Sequence, residues 1–125
     1  MSWIAAETNK HQDHVIAHVI GATPLEYFIH DETAYVLLDI GFIWNIYLDM
    51  EMGLVPERLA LSELDVDAEL LQRTNVECGP IESAELFEDG EERRLVLNCE
   101  QGQLIIETSL NHRWTRINLR PSVAH

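Results

Sequence analysis

The chain has 125 residues, 46% of them hydrophobic, with 22 acidic against 8 basic residues and a formal net charge of −14. That length fits a single domain over 1–125, with enough apolar content to build a core without disulfides or metal. No stretch approaches the ~18 uninterrupted apolar residues of a membrane span, and the opening MSWIAAETNK lacks a basic run followed by an apolar one, so neither membrane insertion nor a secretory signal is expected.

The charge is unevenly placed. Residues 26–92 carry 18 acids against Arg58 and Arg73, a net of −16, whereas 93–125 carry five arginines against Glu100 and Glu107, a net of +3. Such a chain repels phosphate backbones, which argues against nucleic-acid binding, and attracts basic partners at low salt. Only Cys78 and Cys99 occur, neither in a CxxC pair, so reduced thiols and a cytoplasmic location are expected.

In chain order, Ser2 is placed to cap a short helix running to about His11. The Val- and Ile-rich stretch 14–20 reads as a strand stopped by Gly21 and Pro24. A hairpin follows around Asp31 and Glu32, with Ile29 opposite Ala34, Tyr27 opposite Val36 and Leu25 opposite Leu38. From Ala34 to Met50 every even-numbered residue is apolar. A two-residue turn at Gly41 would break that parity, so the pattern predicts one long strand, bent at Gly41. At ~3.3 Å per residue it would span about 56 Å, and a homodimer would give it a partner beyond its own chain.

Leu61, Leu64, Ala68 and Leu71 then recur at helical spacing, with Asp65 and Asp67 suited to the helix start, Asn75 to its end, and Glu69 four residues before Arg73. Cys78, Gly79 and Pro80 form a turn. The last third reads as a four-stranded meander. Its expected registers set Leu86 against Leu95, Ala84 against Leu97, Cys99 against Leu104, Leu97 against Ile106, Ile106 against Ile117 and Leu104 against Leu119. Cys99 then points into the core, and Glu107 meets Arg116 on the other face. The fold class is therefore α+β: mainly antiparallel β, with a long bent strand, a C-terminal four-stranded meander, and one or two helices packed on the sheet.

Three groups of residues are candidates for a site. His11, His14 and His18 have a metal-ligand chemistry, but on a strand His14 and His18 would stand about 13 Å apart at ~3.3 Å per residue, and no HExxH or paired-cysteine signature accompanies them. No cofactor is therefore expected. Asp39, Asn45, Tyr47, Asp49 and Glu51 alternate along the odd face of the long strand. In a closed cleft Asp39 or Asp49 would serve as general base and Tyr47 as a donor; Leu37 and Ile43 on the same face suggest that a helix or a dimer contact covers part of it. Trp114, Arg116, Asn118 and Arg120 form a basic-aromatic stripe of the kind that anchors interfaces. No GxSxG elbow, phosphate-binding glycine loop or dinucleotide fingerprint is present. The residues thus lead to a non-enzymatic acidic module that binds a basic protein, with a small enzyme or ligand-binding protein built on a carboxylate-lined cleft as the alternative.

Overall fold

A computed structural model describes residues 2–64 and 71–122. Among these residues two antiparallel five-stranded sheets stack over one core, with two short helices, of which the first links the sheets and the second connects strands of one of them. Neither helix, of ten and seven residues, is long and apolar enough to cross a membrane. The α+β class is as expected from the sequence; several elements within it are not.

The chain opens with β1 (Ile4–Ala5) and then α1 (Lys10–Val19), so 14–20 is helical rather than extended. Asn9, not Ser2, is the cap: its side chain accepts from the Gln12 amide at 2.8 Å, and the Gln12 side chain accepts from the Asn9 amide at 2.9 Å. This reciprocal arrangement satisfies two amides that a helix start otherwise leaves unbonded. Val15 and Val19 lie four apart and are both buried in the core, so helical spacing outweighs the β preference of the branched residues around them.

One sheet has the order β5-β4-β3-β2-β6, with β2 (Pro24–His30), β3 (Thr33–Leu38), β4 (Phe42–Ile46), β5 (Met52–Pro56) and β6 (Thr74–Asn75). The β2–β3 hairpin pairs Ile29 with Ala34 and Tyr27 with Val36 as expected, but a bulge replaces Leu25 by Pro24 opposite Leu38. The long strand over 34–50 does not exist. The chain reverses at residues 39–41, and β3 pairs antiparallel with β4, Val36 against Trp44 and Leu37 against Ile43. It reverses again at residues 47–51, pairing Ile46 with Met52. Both loops contain an odd number of residues, three and five, so even positions still face even positions after each turn. The unbroken parity therefore survives two reversals. Gly41, at φ +79°, takes the left-handed position that closes a three-residue hairpin loop.

Helix α2 (Glu57–Glu63) follows β5 directly and packs on β4 and β5. It is shorter than the helix expected from 61 onward. Asp65, Asp67, Ala68 and Glu69 fall outside the described residues, Asn75 lies in β6, and Arg73 reaches Glu26 of β2 at 3.4 Å.

The second sheet has the order β1-β7-β8-β9-β10, with β7 (Ile81–Asp89), β8 (Glu92–Cys99), β9 (Gly102–Ser109) and β10 (Trp114–Pro121). The expected registers hold for β7–β8 and β9–β10, including Leu86 against Leu95 and Ile106 against Ile117. Between β8 and β9 the register lies two residues from expectation: Cys99 meets Gly102, Leu97 meets Leu104 and Leu95 meets Ile106. A two-residue slip leaves every side chain on its predicted face. Gly102, expected in the turn between these strands, is instead the first residue of β9. It sits where a Cβ would come within 2.6 Å of the Arg120 carbonyl oxygen, so only glycine lets β9 and β10 meet there.

The core unites both sheets and α1: Leu95, Leu97, Leu104 and Ile106 from one sheet meet Val36, Trp44 and Ile46 from the other. Cys78 and Cys99 are both buried and free, and burial pushes the Cys99 thiol up to about 12 and the Cys78 thiol upward too. Neither is a reactive thiolate near neutral pH.

Candidate functional site

The hairpin topology gathers turns into two poles. At one pole lie the β2–β3 turn, the β4–β5 turn at 47–51, the β7–β8 turn and the β9–β10 turn. Two hydrogen bonds between the sheets and one within the second sheet fix them together. The Thr108 hydroxyl donates to the Leu48 carbonyl at 2.7 Å, the Thr115 hydroxyl to the Glu32 carbonyl at 2.6 Å, and the Leu110 amide to the Glu91 carbonyl at 3.0 Å.

Three of these four turns are acidic, contributing Asp31, Glu32, Asp49, Glu51, Asp89, Glu91 and Glu92. Between the β2–β3, β4–β5 and β9–β10 turns opens a recess of about 400 Å³ lined by Asp31, Glu32, Thr33, Tyr47, Leu48, Asp49, Leu110 and Arg113. Arg113 closes one wall as a fork, its Nε and Nη2 donating to the two carboxylate oxygens of Glu32 at 3.3 and 2.7 Å. Tyr47 is 44% exposed at the rim.

The backbone at this pole is strained. Asp31 (φ 49°), Glu32 (φ 67°), Met50 (φ 67°) and Arg113 (φ 54°) are the non-glycine residues at positive φ among the described residues, and all four sit in its turns. Side chains with a Cβ lose roughly 1–2 kcal/mol each in the left-handed region. A two-residue hairpin turn with both residues at positive φ ordinarily takes Asn-Gly; here it takes Asp-Glu.

The structure divides the carboxylates that the sequence placed on one strand face. Tyr47 and Asp49 line the recess, with Glu51 beside it, where its carboxylate accepts from the Asn9 side chain at 2.9 Å. Asp39 is at the opposite pole, one β4 length away, or about 16 Å at ~3.3 Å per residue. It is a turn clamp: its Oδ1 accepts from the Thr23 amide at 2.9 Å while its own amide donates to the Thr23 carbonyl at 3.0 Å. Asp49 likewise accepts from the Glu51 amide at 3.0 Å within its turn. Asn45 and Ile43 share the outer face of β4, on which α2 packs; Ile43 is 1% exposed, and the Asn45 Oδ1 is buried without a hydrogen-bond partner. Asp39, Tyr47 and Asp49 therefore do not converge on one cleft.

Trp114, Arg116, Asn118 and Arg120 lie on the outer face of β10, as the alternation requires. A row of paired side chains crosses this face. Arg94, Glu107 and Arg116 are direct cross-strand neighbours, Arg94 donating to Glu107 at 2.7 and 3.0 Å and Arg116 at 3.0 Å. The Arg94 guanidinium lies 4.2 Å from the centre of the Trp3 ring, and that of Arg116 lies 4.6 Å from the Trp114 ring. Glu107 is 6% exposed, and burial pushes its carboxyl upward, but the hydrogen bonds and charges of the two arginines outweigh that and hold it below the ordinary carboxylate range. Arg94 was missed in the sequence because the two-residue slip of β8–β9 placed Val96 opposite Glu107. Within the stripe Arg116 is thus paired inside its own sheet, with a Glu107 that it shares with Arg94.

His11, His14 and His18 share the outer side of α1 and, with Val15 and Leu54, line a shallow hollow of about 240 Å³. The His14 and His18 rings meet edge to face at 4.5 Å. His11 and His18 already bond main-chain carbonyls, of Met52 at 2.9 Å and His14 at 2.8 Å. Among the described residues no three His, Cys, Asp or Glu side chains converge as a metal site.

No family model matches this chain, and no curated protein or solved structure is similar enough to align with it. The functional reading therefore rests on the geometry of the two poles.

Proposed function

We propose that the chain is a non-enzymatic binding module that takes a basic segment of another protein at its acidic pole. The observation carrying this reading is the recess between the Asp31–Glu32 and 47–51 turns, where Asp31 and Glu32, both held at positive φ, meet Asp49 from a distant stretch of sequence. Left-handed backbone that glycine or asparagine would adopt at less cost is retained where it presents carboxylates, and local strain of this kind concentrates at working sites. The surrounding field of the 26–92 block steers a cationic partner toward this pole. Tyr47 offers a ring face for a guanidinium or ammonium, and Asp31 and Asp49 offer its counter-charges.

Titration calorimetry with a nona-arginine peptide tests this. Binding is expected at low salt, weakening steeply toward physiological salt as surface charges are screened. The pair Asp31→Asn with Asp49→Asn should weaken it about tenfold, while Glu82→Gln with Glu100→Gln, the same charge change at the other pole, should leave it nearly unchanged. Equal losses from both pairs would reduce the effect to net charge and sink the site.

A second reading takes the recess as the site of a small cationic ligand, because its volume of about 400 Å³ lies within the range of small-molecule pockets. Retention of one small cation after dialysis, lost in the Tyr47→Ala variant, would favour it over the peptide.

A further inference from the structure

The second sheet ends in β10, an eight-residue strand with no strand on its far side. Among the described residues no main-chain hydrogen bond leaves Trp114–Pro121 away from β9. The other edges are different. β1 and β6 have two residues each, and β5 is flanked by α1 and α2, with His11 bonded to its Met52 carbonyl. By contrast β10, though close to β2 and β3, meets them in no main-chain hydrogen bond. A long open edge is a template for another strand, and proteins ordinarily shorten or cover it.

We propose that β10 pairs antiparallel with β10 of a second copy, joining two five-stranded sheets into one of ten strands about a two-fold axis at Ile117. The side-chain pattern selects both occupant and register. A two-fold perpendicular to the sheet keeps inner residues opposite inner residues, so the axis must pass through a residue. Centred on Arg116, it sets Arg116 opposite Arg116; centred on Asn118, it sets Arg116 opposite Arg120. Like charges directly opposed destabilise a sheet. Centred on Ile117, it sets Ile117 against Ile117, Thr115 against Leu119, Arg116 against Asn118 and Trp114 against Arg120. Axes through Thr115 or Leu119 also oppose no like charges but pair only three or five residues of β10. The Ile117 register pairs seven and gains two Trp–Arg contacts. It also covers the half-buried Leu119 on the core side. Arg116 enters it already held by Glu107 at 3.0 Å, a carboxylate it shares with Arg94. The contact lies within 93–125, where cations outnumber acids.

Light scattering across protein concentration reads the equilibrium, and wild type should double in mass as concentration rises. Asn118→Arg, on an exposed position, sets an arginine opposite Arg116 twice per dimer and should weaken association about tenfold. Asn118→Asp should strengthen it, although it adds to a net negative charge, which is the opposite of what general repulsion would do. Circular dichroism of both variants checks that the fold is kept. The double variant Arg116→Cys with Asn118→Cys should cross-link across the axis under diamide, with each thiol losing its hydrogen to the azo oxidant, while either single variant should not. A chain that stays monomeric at high concentration, or single variants that cross-link as well as the double, would overturn the proposal.

Discussion

The two poles of the molecule solve one backbone problem in different ways. Both need turns with positive φ. At the pole holding residues 39–41 the chain uses glycine, with Gly21 at φ 90°, Gly41 at 79° and Gly79 at 75°. At the acidic pole it uses glycine once, at Gly90 (φ 60°), and otherwise Asp31, Glu32, Met50 and Arg113. Glycine removes the steric cost but offers no side chain. The contrast shows stability conceded where side chains are presented and conserved where a turn has only to reverse the chain.

The largest effect should come from the glycine pole. Gly102→Ala drives a Cβ against the Arg120 carbonyl oxygen at 2.6 Å, which only main-chain movement relieves. A loss of about 2–3 kcal/mol in urea unfolding is expected, with β10 separating from β9 at that end.

Next comes the row that crosses the sheet between the poles. Glu107→Gln should cost about 1–3 kcal/mol at neutral pH, since Arg94 is left part-buried opposite an amide. The folded carboxyl ionises at lower pH than the unfolded one, so its contribution is complete above the ordinary carboxylate range. It is lost as pH falls through the folded value. The gap between wild type and variant should therefore close in acid, as chemical denaturation from pH 7 to pH 3 can measure. A gap that widens in acid would refute the assignment of that stability to the ionised pair.

Gly41→Ala should cost about 1–2 kcal/mol: nothing lies within 4 Å of an added Cβ, so the penalty is conformational alone. At the acidic pole the sign should reverse. Asp31→Asn with Glu32→Gly installs the preferred turn and relieves like-charge crowding, against the loss of the exposed Arg113–Glu32 pair, itself worth about 0–1 kcal/mol. A net gain of up to ~1 kcal/mol in thermal unfolding is expected, together with weaker binding of nona-arginine. A variant both more stable and equally good at binding would break the link between strain and site.

The meander was legible because its turns are short and local, and cross-strand pairs such as Ala84–Leu97 and Glu107–Arg116 follow once a turn is located. The capping role of Asn9 was equally present in the letters, since Gln12 stands three residues on, but the branched residues after His14 carried the reading toward a strand. The stretch from Ala34 to Met50 failed for a different reason. Parity reports which face a side chain takes and is blind to direction whenever a loop has an odd number of residues. A bend at 39–41, in place of a loop, also puts Asp39 and Asp49 on one strand face, whereas the reversal sends them to opposite poles. The acidic recess could not be foreseen, because Asp31 and Asp49 meet only through the β3–β4 pairing, and Arg113 joins them only when the two sheets stack.

By itself the sequence determined the charge asymmetry, the class of fold and the face of nearly every strand side chain, because alternation and turn chemistry act over a few residues. Tertiary structure alone decided where the chain turns back, which loops share a pole and which strand edge is left open. Those depend on hydrogen bonds and packing between segments as distant as Glu32 and Arg113, whose meeting no local pattern encodes.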